Sequence, residues 1–232
     1  MSLNAAQKRR VYLDKPCLRR IYNDWFNLIK SYLVRGETLE IGSGFGQVKD
    51  YINCVTSDLK NNEFIDKIID ARHLPYPDGS LSNIIGVDIL HHINNPKQFA
   101  NEAARAIKSG GRIILIEPYI SPVSNVARKL FHYEPIDFKI LEIKQGEESN
   151  MAIPTLLFFR SVKYREIFSD FKLVKLEKFG YLLYPLSGGF TQYSFLSNKL
   201  YSIVEKIENL INYSGRLRNW LSFKCLIVLE RN

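Results

Sequence analysis

Cysteine is scarce and scattered in this chain. Its three cysteines, Cys17, Cys54 and Cys225, are odd in number and form no C-x-x-C pair. Such spacing suggests neither a disulfide framework nor a zinc cluster, and a reducing, cytoplasmic setting is expected. Long apolar runs are lacking too: none approaches the roughly 18 residues that a membrane-spanning helix needs. The basic triplet Lys8-Arg9-Arg10 leads into no apolar stretch of signal-peptide length, so export by that route is not expected. Histidine is limited to four residues, of which His91 and His92 are adjacent. Adjacent side chains diverge on helices and strands alike, which argues against one ion held by both, and no metal site is expected.

The chain does have enough apolar residues for a full core, at 46% of 232 residues. That length suits one domain carrying insertions. The net charge is +8, unevenly spread. Residues 1–35 hold eight basic side chains against Asp14 and Asp24, which leaves six of the eight net charges there. A solvated helix face accounts for this. The alternative is an arm touching nucleic acid, anionic lipid or a phosphorylated substrate. No RNA-binding signature accompanies the charge, which argues against nucleic acid.

The chain is organised around Thr38–Gly46, T-L-E-I-G-S-G-F-G. A short apolar run carrying Glu40 opens into Gly42-x-Gly44-x-Gly46, and a helix-like pattern follows from Gln47. Glycine lets the backbone turn sharply and lets a ligand lie on bare peptide. Dinucleotide folds use G-x-G-x-x-G, whose wider spacing seats a pyrophosphate. Here the spacing is tighter, and the acid before it favours a cationic group.

Other elements follow in order. Residues 1–10 are expected to be frayed. An amphipathic helix runs from Leu18 to Leu33, with Pro16 in its first turn and Gly36 at its end. Its Tyr22 and Trp25 are expected to pack on a sheet. Strands are expected at 38–41, 54–57, 65–69, 83–87 and 112–116, with a helix at 96–108 stopped by Gly110-Gly111. Alternating strands and helices argue for a parallel sheet. Asp58 ends the second strand, where an acid faces the cofactor crevice of a doubly wound sheet and can accept ribose hydroxyls. A surface turn is the other reading of Asp58.

This series of motifs resembles the class I S-adenosylmethionine-dependent methyltransferases. The likeness rests on the glycine stretch and on Asp58. It extends to Asp70-Ala71, Leu74-Pro75-Tyr76-Pro77-Asp78-Gly79-Ser80, Leu90-His91-His92 and Ile107-Lys108-Ser109-Gly110-Gly111. It covers about Gly36 to Glu117 and departs in detail at Leu81-Ser82 and at Ser109. The resemblance implies a Rossmann-like, doubly wound, seven-stranded, mostly parallel α/β sheet whose last strand is antiparallel. Helices would cover both faces. The sixth and seventh strands fall at 172–178 and 223–229, with a helix at 162–168 before the sixth. Substrate-side insertions occupy about 119–160 and 181–222. A basic helical segment, 1–35, precedes the methyltransferase domain, 36–232.

The implied cofactor is S-adenosyl-L-methionine, held by Glu40, Gly42, Ser43, Gly44, Gly46, Asp58, Leu59, Asp70, Ala71 and Asp88. Within that set Asp70 would meet the adenine amine. The N/D-P-P-aromatic sequence of amino-methylating DNA enzymes is absent after the fourth strand. The expected reaction is therefore methyl transfer to an oxygen, with nitrogen second, of a small-molecule or carbohydrate acceptor. Candidate bases are His91, Glu117, His132, Glu134 and Asp137, with Glu117 and His132 favoured by position. His92 is expected to be structural. Phe131 to Asp137, together with Ser187-Gly188-Gly189-Phe190, is similar to a branch that tends to accompany surface-polysaccharide synthesis. Two other readings stay open: a catalytically silent subunit serving a protein partner, and an RNA methyltransferase using the basic first helix. An oligomer is possible under any of them.

Overall fold

The computed structural model describes residues 3–131, 134–141, 143, 146–191 and 193–232. Its centre is a seven-stranded sheet. The strands are β1 (Thr38–Ile41), β2 (Val55–Asp58), β3 (Lys67–Ile68), β4 (Leu81–Val87), β5 (Ile107–Pro118), β6 (Phe171–Phe179) and β7 (Lys224–Arg231). They lie in the order β3-β2-β1-β4-β5-β7-β6. Pairing is parallel from β3 to β5, and β7 runs antiparallel to both β5 and β6. This is the expected doubly wound sheet with its last strand reversed. The third strand is two residues long rather than five, and β5 starts five residues earlier than its pattern indicated.

Successive strand residues point to opposite faces, and two cores result. Ile113, Leu115, Ile227 and Leu229 face one layer, with Phe99 and Phe168. Ile114, Ile116, Leu226 and Val228 face the other, with Trp25, Phe26 and Leu183. Glu40 lies between Leu39 and Ile41, which both belong to the first core, so its side chain points toward the second.

The helices are α1 (Ala5–Asp14), α2 (Pro16–Lys30), α3 (Pro96–Ala106), α4 (Pro122–Phe131), α5 (Ile153–Thr155), α6 (Tyr164–Ile167), α7 (Leu183–Ser187), α8 (Asn198–Ile211) and α9 (Gly215–Leu221). The expected frayed start is instead helical. Asn4 accepts from the Gln7 N–H and the Gln7 side chain accepts from the Asn4 N–H, a reciprocal cap. Tyr12 then anchors α1 against Tyr22 and against Phe45 of the glycine stretch. Helix α2 stops at Lys30, so Gly36 is not its cap. A Cβ on Gly36 would lie 2.0 Å from the Ser82 hydroxyl oxygen, so its task is close approach to β4. Residues 119–160 include α4, α5 and a π-helical turn at Leu156–Arg160; residues 181–222 include α7, α8 and α9.

Candidate active site

β1 delivers the chain into a tight loop. Gly42, Gly44 and Gly46 all have positive φ, at 65°, 57° and 68°. A Cβ on Gly46 would come within 2.4 Å of the Phe64 carbonyl oxygen, whereas one on Gly44 would meet nothing within 4 Å. The first glycine-to-alanine change is therefore a packing lesion, and the second would intrude on open space. Gly46→Ala is expected to cost at least about 1–3 kcal/mol of stability, read by denaturant unfolding, because left-handed strain adds to the clash. The helix expected after the loop is a single 3₁₀ turn, Gln47–Asp50.

Hydrogen bonds fix the loop to β2. The Ser43 N–H donates to the Ser57 carbonyl at 2.9 Å, and the Ser57 N–H donates to the Ser43 hydroxyl at 3.0 Å. The Gly44 N–H donates to Asp58 Oδ2 at 2.9 Å. Asp58 thus stands at the end of β2, against the glycine loop. Leu59 beside it is largely exposed. Asp70 sits just past β3, as expected, with its carboxylate occupied. Arg72 donates from Nε at 3.0 Å, from a terminal nitrogen at 2.7 Å and from its backbone N–H at 2.9 Å. Those Arg72 bonds hold the Asp70 carboxyl below its usual range. Ala71 between them is half-buried.

Glu40 is the anomaly of this region. It is 2% exposed, and its Oε2 has no hydrogen-bond partner among the described residues. Burial pushes its carboxyl up to about 8. A buried acceptor left unpaired is costly, and it fits a cationic ligand group arriving at the open space over Gly44. The residues present therefore suit S-adenosylmethionine, which has a cationic amino end and a ribose.

A second cluster lies where β4 and β5 end. Asp88 follows β4 with φ 56°, a strained conformation for a residue with a side chain. Its carboxylate is held by Lys224, at the start of β7, and the Lys224 ammonium lies 4.9 Å from the Trp25 ring centroid and 4.8 Å from that of Tyr184. Burial would raise the Asp88 carboxyl, but the charge and hydrogen bond of Lys224 together with the charges of His91 and Arg128 outweigh it and hold it low.

Beside it, the turn Leu90–His92 presents His91 to Glu117. Glu117 is fully buried. Its Oε1 accepts the Ile89 and Leu90 N–H groups at 2.8 and 2.7 Å, and its Oε2 lies 2.9 Å from His91 Nδ1. The other ring nitrogen, Nε2, lies 3.4 Å from Glu134 Oε2. Burial pulls the His91 imidazole down, but the bonds to Glu117 and Glu134 outweigh it and raise it to about 9. Burial would raise the Glu134 carboxyl, yet His91 beside it holds it well below the usual carboxylate range.

The expected divergence of the adjacent histidines does not occur. Their rings lie 4.2 Å apart, with His91 Nε2 at 3.4 Å and His92 Nε2 at 3.9 Å from the same Glu134 oxygen, and His92 Nδ1 sits 3.0 Å from the Glu148 carbonyl. His132 lies outside the described residues. Asp137 Oδ1 accepts the Lys139 N–H at 2.8 Å, a local turn contact. Lys224 was not singled out for this site from sequence. The signal for Lys224 was a lone cation in the apolar run Phe223–Leu229.

Comparison with known proteins fits this geometry. Residues 39–115 match a methyltransferase domain family. No curated protein matches the chain in sequence. An S-adenosylmethionine-dependent methyltransferase structure from Archaeoglobus fulgidus aligns with TM-score 0.58 at 14% identity, over 92% of this chain and 94% of that one. A geranyl diphosphate methyltransferase in complex with S-adenosylmethionine aligns with TM-score 0.55 at 12% identity, over 97% and 90%. The [4+2]-cyclase SpnF aligns with TM-score 0.53 at 14% identity, over 90% and 81%. At these identities the structural likeness establishes the fold.

Proposed function

Residues 39–115 are a methyltransferase domain of the class I S-adenosylmethionine-dependent family, and from that premise we propose that the enzyme methylates an oxygen of a small molecule or glycan, with His91 as its base. The observation that carries this reading is the buried bond between Glu117 and His91 Nδ1. A methyl group on a positive sulfur, which the bound cofactor supplies, is already activated. An alcohol acceptor must still lose its proton as the new bond forms. Glu117 accepts from Nδ1–H, so loss of the imidazolium proton leaves the lone pair on Nε2, the nitrogen that faces Glu134. We assign Glu117 a positioning role rather than that of the base, since its oxygens are spent on His91 and two backbone N–H groups.

In the same reading the glycine loop and Glu40 take the amino end of the cofactor. Asp58 takes the ribose, and Asp70-Ala71 flanks the adenine. Nitrogen is the second acceptor candidate, because a neutral amine attacks without a base and would leave the Glu117–His91 pair without a task. The glycan class is supported by the likeness of residues 131–137 and 187–190 to the polysaccharide-associated branch. Three free thiols suit a cytoplasmic setting. Among the described residues no helix is long and apolar enough to cross a membrane.

The test is an acceptor screen by release of S-adenosylhomocysteine, with the methylated atom identified by NMR. An O-methyl product is expected, and His91→Ala should depress turnover by about 10²-fold or more. An N-methyl product, or His91→Ala turning over like the native enzyme, would refute the reading.

A further inference from the structure

We propose that Arg128 receives an anionic group of the acceptor, a carboxylate or a phosphate ester, and so selects acidic acceptors; this rests on the methyl-transfer reading above. Arg128 lies on α4 and is 6% exposed. One terminal nitrogen donates to the Phe223 carbonyl at 3.1 Å, and the other rests 3.4 Å from the Met151 sulfur. Its Nε has no partner among the described residues. The neighbouring charges are matched: Asp88 with Lys224, and His91 with Glu117 and Glu134. Arg128 forms no such ion pair among the described residues.

Asp88 and Glu134 act on the Arg128 charge without an ion-pair contact; a buried cation so incompletely paired is costly to fold, and proteins retain such groups where a ligand completes them. The guanidinium fork matches the paired oxygens of a carboxylate or phosphate. Its present partner can yield, because a thioether is a weak acceptor on a flexible chain.

Position supports the assignment. Met151 follows Asn150, whose N–H donates to the His91 carbonyl at 2.9 Å. Phe223 precedes Lys224, which holds Asp88. The guanidinium is thus fixed between the two segments that frame the reacting cluster. An acceptor anchored there by its acid would present a nearby hydroxyl toward His91.

The test compares the full-length protein with Arg128→Met in thermal melts at constant ionic strength. Acetate, inorganic phosphate, glucuronate, glucose 1-phosphate and glucose are the probes. Ligand-free Arg128→Met is expected to melt higher than the native protein. At saturating concentration one class of anion should raise the native melting temperature by about 5 °C. It should leave the variant unmoved, and glucose should move neither. Acetate and glucuronate against phosphate and glucose 1-phosphate decide between carboxylate and phosphate ester. If Arg128→Met does not fold, Arg128→Gln is read in the same way, since it too loses both the charge and the fork. Equal anion responses in native and variant proteins, or none in either, would overturn the proposal. These melts need no turnover, so their failure is separable from failure of the methyl-transfer reading, which the acceptor screen tests.

Discussion

Glu117→Gln is expected to lower turnover by about 10²–10⁴-fold while cofactor affinity stays within about twofold. The change is isosteric, and the amide oxygen can still accept the Ile89 and Leu90 N–H groups. Its NH₂, however, must then face His91 Nδ1 and donate to it. That forces the imidazole proton onto Nε2, the nitrogen required as base. The geometry survives and the tautomer is wrong. The pH dependence follows from the same contacts. Glu117 and Glu134 hold His91 protonated up to about 9, so turnover of the native enzyme should rise with pH through the neutral range and level off near 9. The stability that His91 contributes is fully present below its unfolded value near 6.5 and is lost as pH rises through about 9. A pH–rate profile of native enzyme and variant checks both points. A flat profile, or a Glu117→Gln enzyme that retains most of its rate, would remove His91 from the base role.

Glu40→Gln should have opposite effects on binding and on stability. The carboxyl is buried beside the glycine loop with one oxygen unpaired, and its pKa stands at about 8. Loss of its charge is expected to weaken S-adenosylhomocysteine binding by about 10–100-fold, the worth of one charge-assisted hydrogen bond. In the native protein, affinity should increase as pH rises toward 8, since the ligand's cation favours the ionised carboxylate. The ligand-free fold shows the reverse trend. A carboxyl raised from 4.5 to about 8 contributes stability that is present below 4.5 and lost as pH rises through 8. At pH 8.5 the ligand-free Glu40→Gln protein should therefore melt higher than native, by about 2–8 °C for a gain of 1–2 kcal/mol. Calorimetric titration and thermal melts at pH 6 and 8.5 read the two effects.

The sequence-legible part of this molecule was the part governed by local rules. The β1 strand, the glycine loop and the strand-end acids follow from period-two patterning and glycine spacing, whereas the reversed last strand was implied by the family resemblance. Helix α1 escaped because its sequence, AAQKRRVYLD, has little amphipathic contrast. It is held by tertiary packing of Tyr12, and the Asn4-x-x-Gln7 cap was the readable signal. Glu117 was named as a candidate base from its place at the end of β5, but its task depends on which donors surround it. Those donors, at Ile89, Leu90 and His91, lie more than 25 positions away in sequence. The partners Asp88 and Lys224 are 136 positions apart, and Arg128 meets Phe223 across 95. Pairings of that range are set by strand order, which no local pattern encodes.

The most direct test of the account is calorimetric titration with S-adenosylhomocysteine, with Asp58→Ala as the control. Saturable micromolar binding by the native protein, weakened at least about tenfold in the variant and accompanied by a higher melting temperature, is the predicted result. A folded native protein that neither takes up the ligand nor gains stability from it would contradict the account at its base.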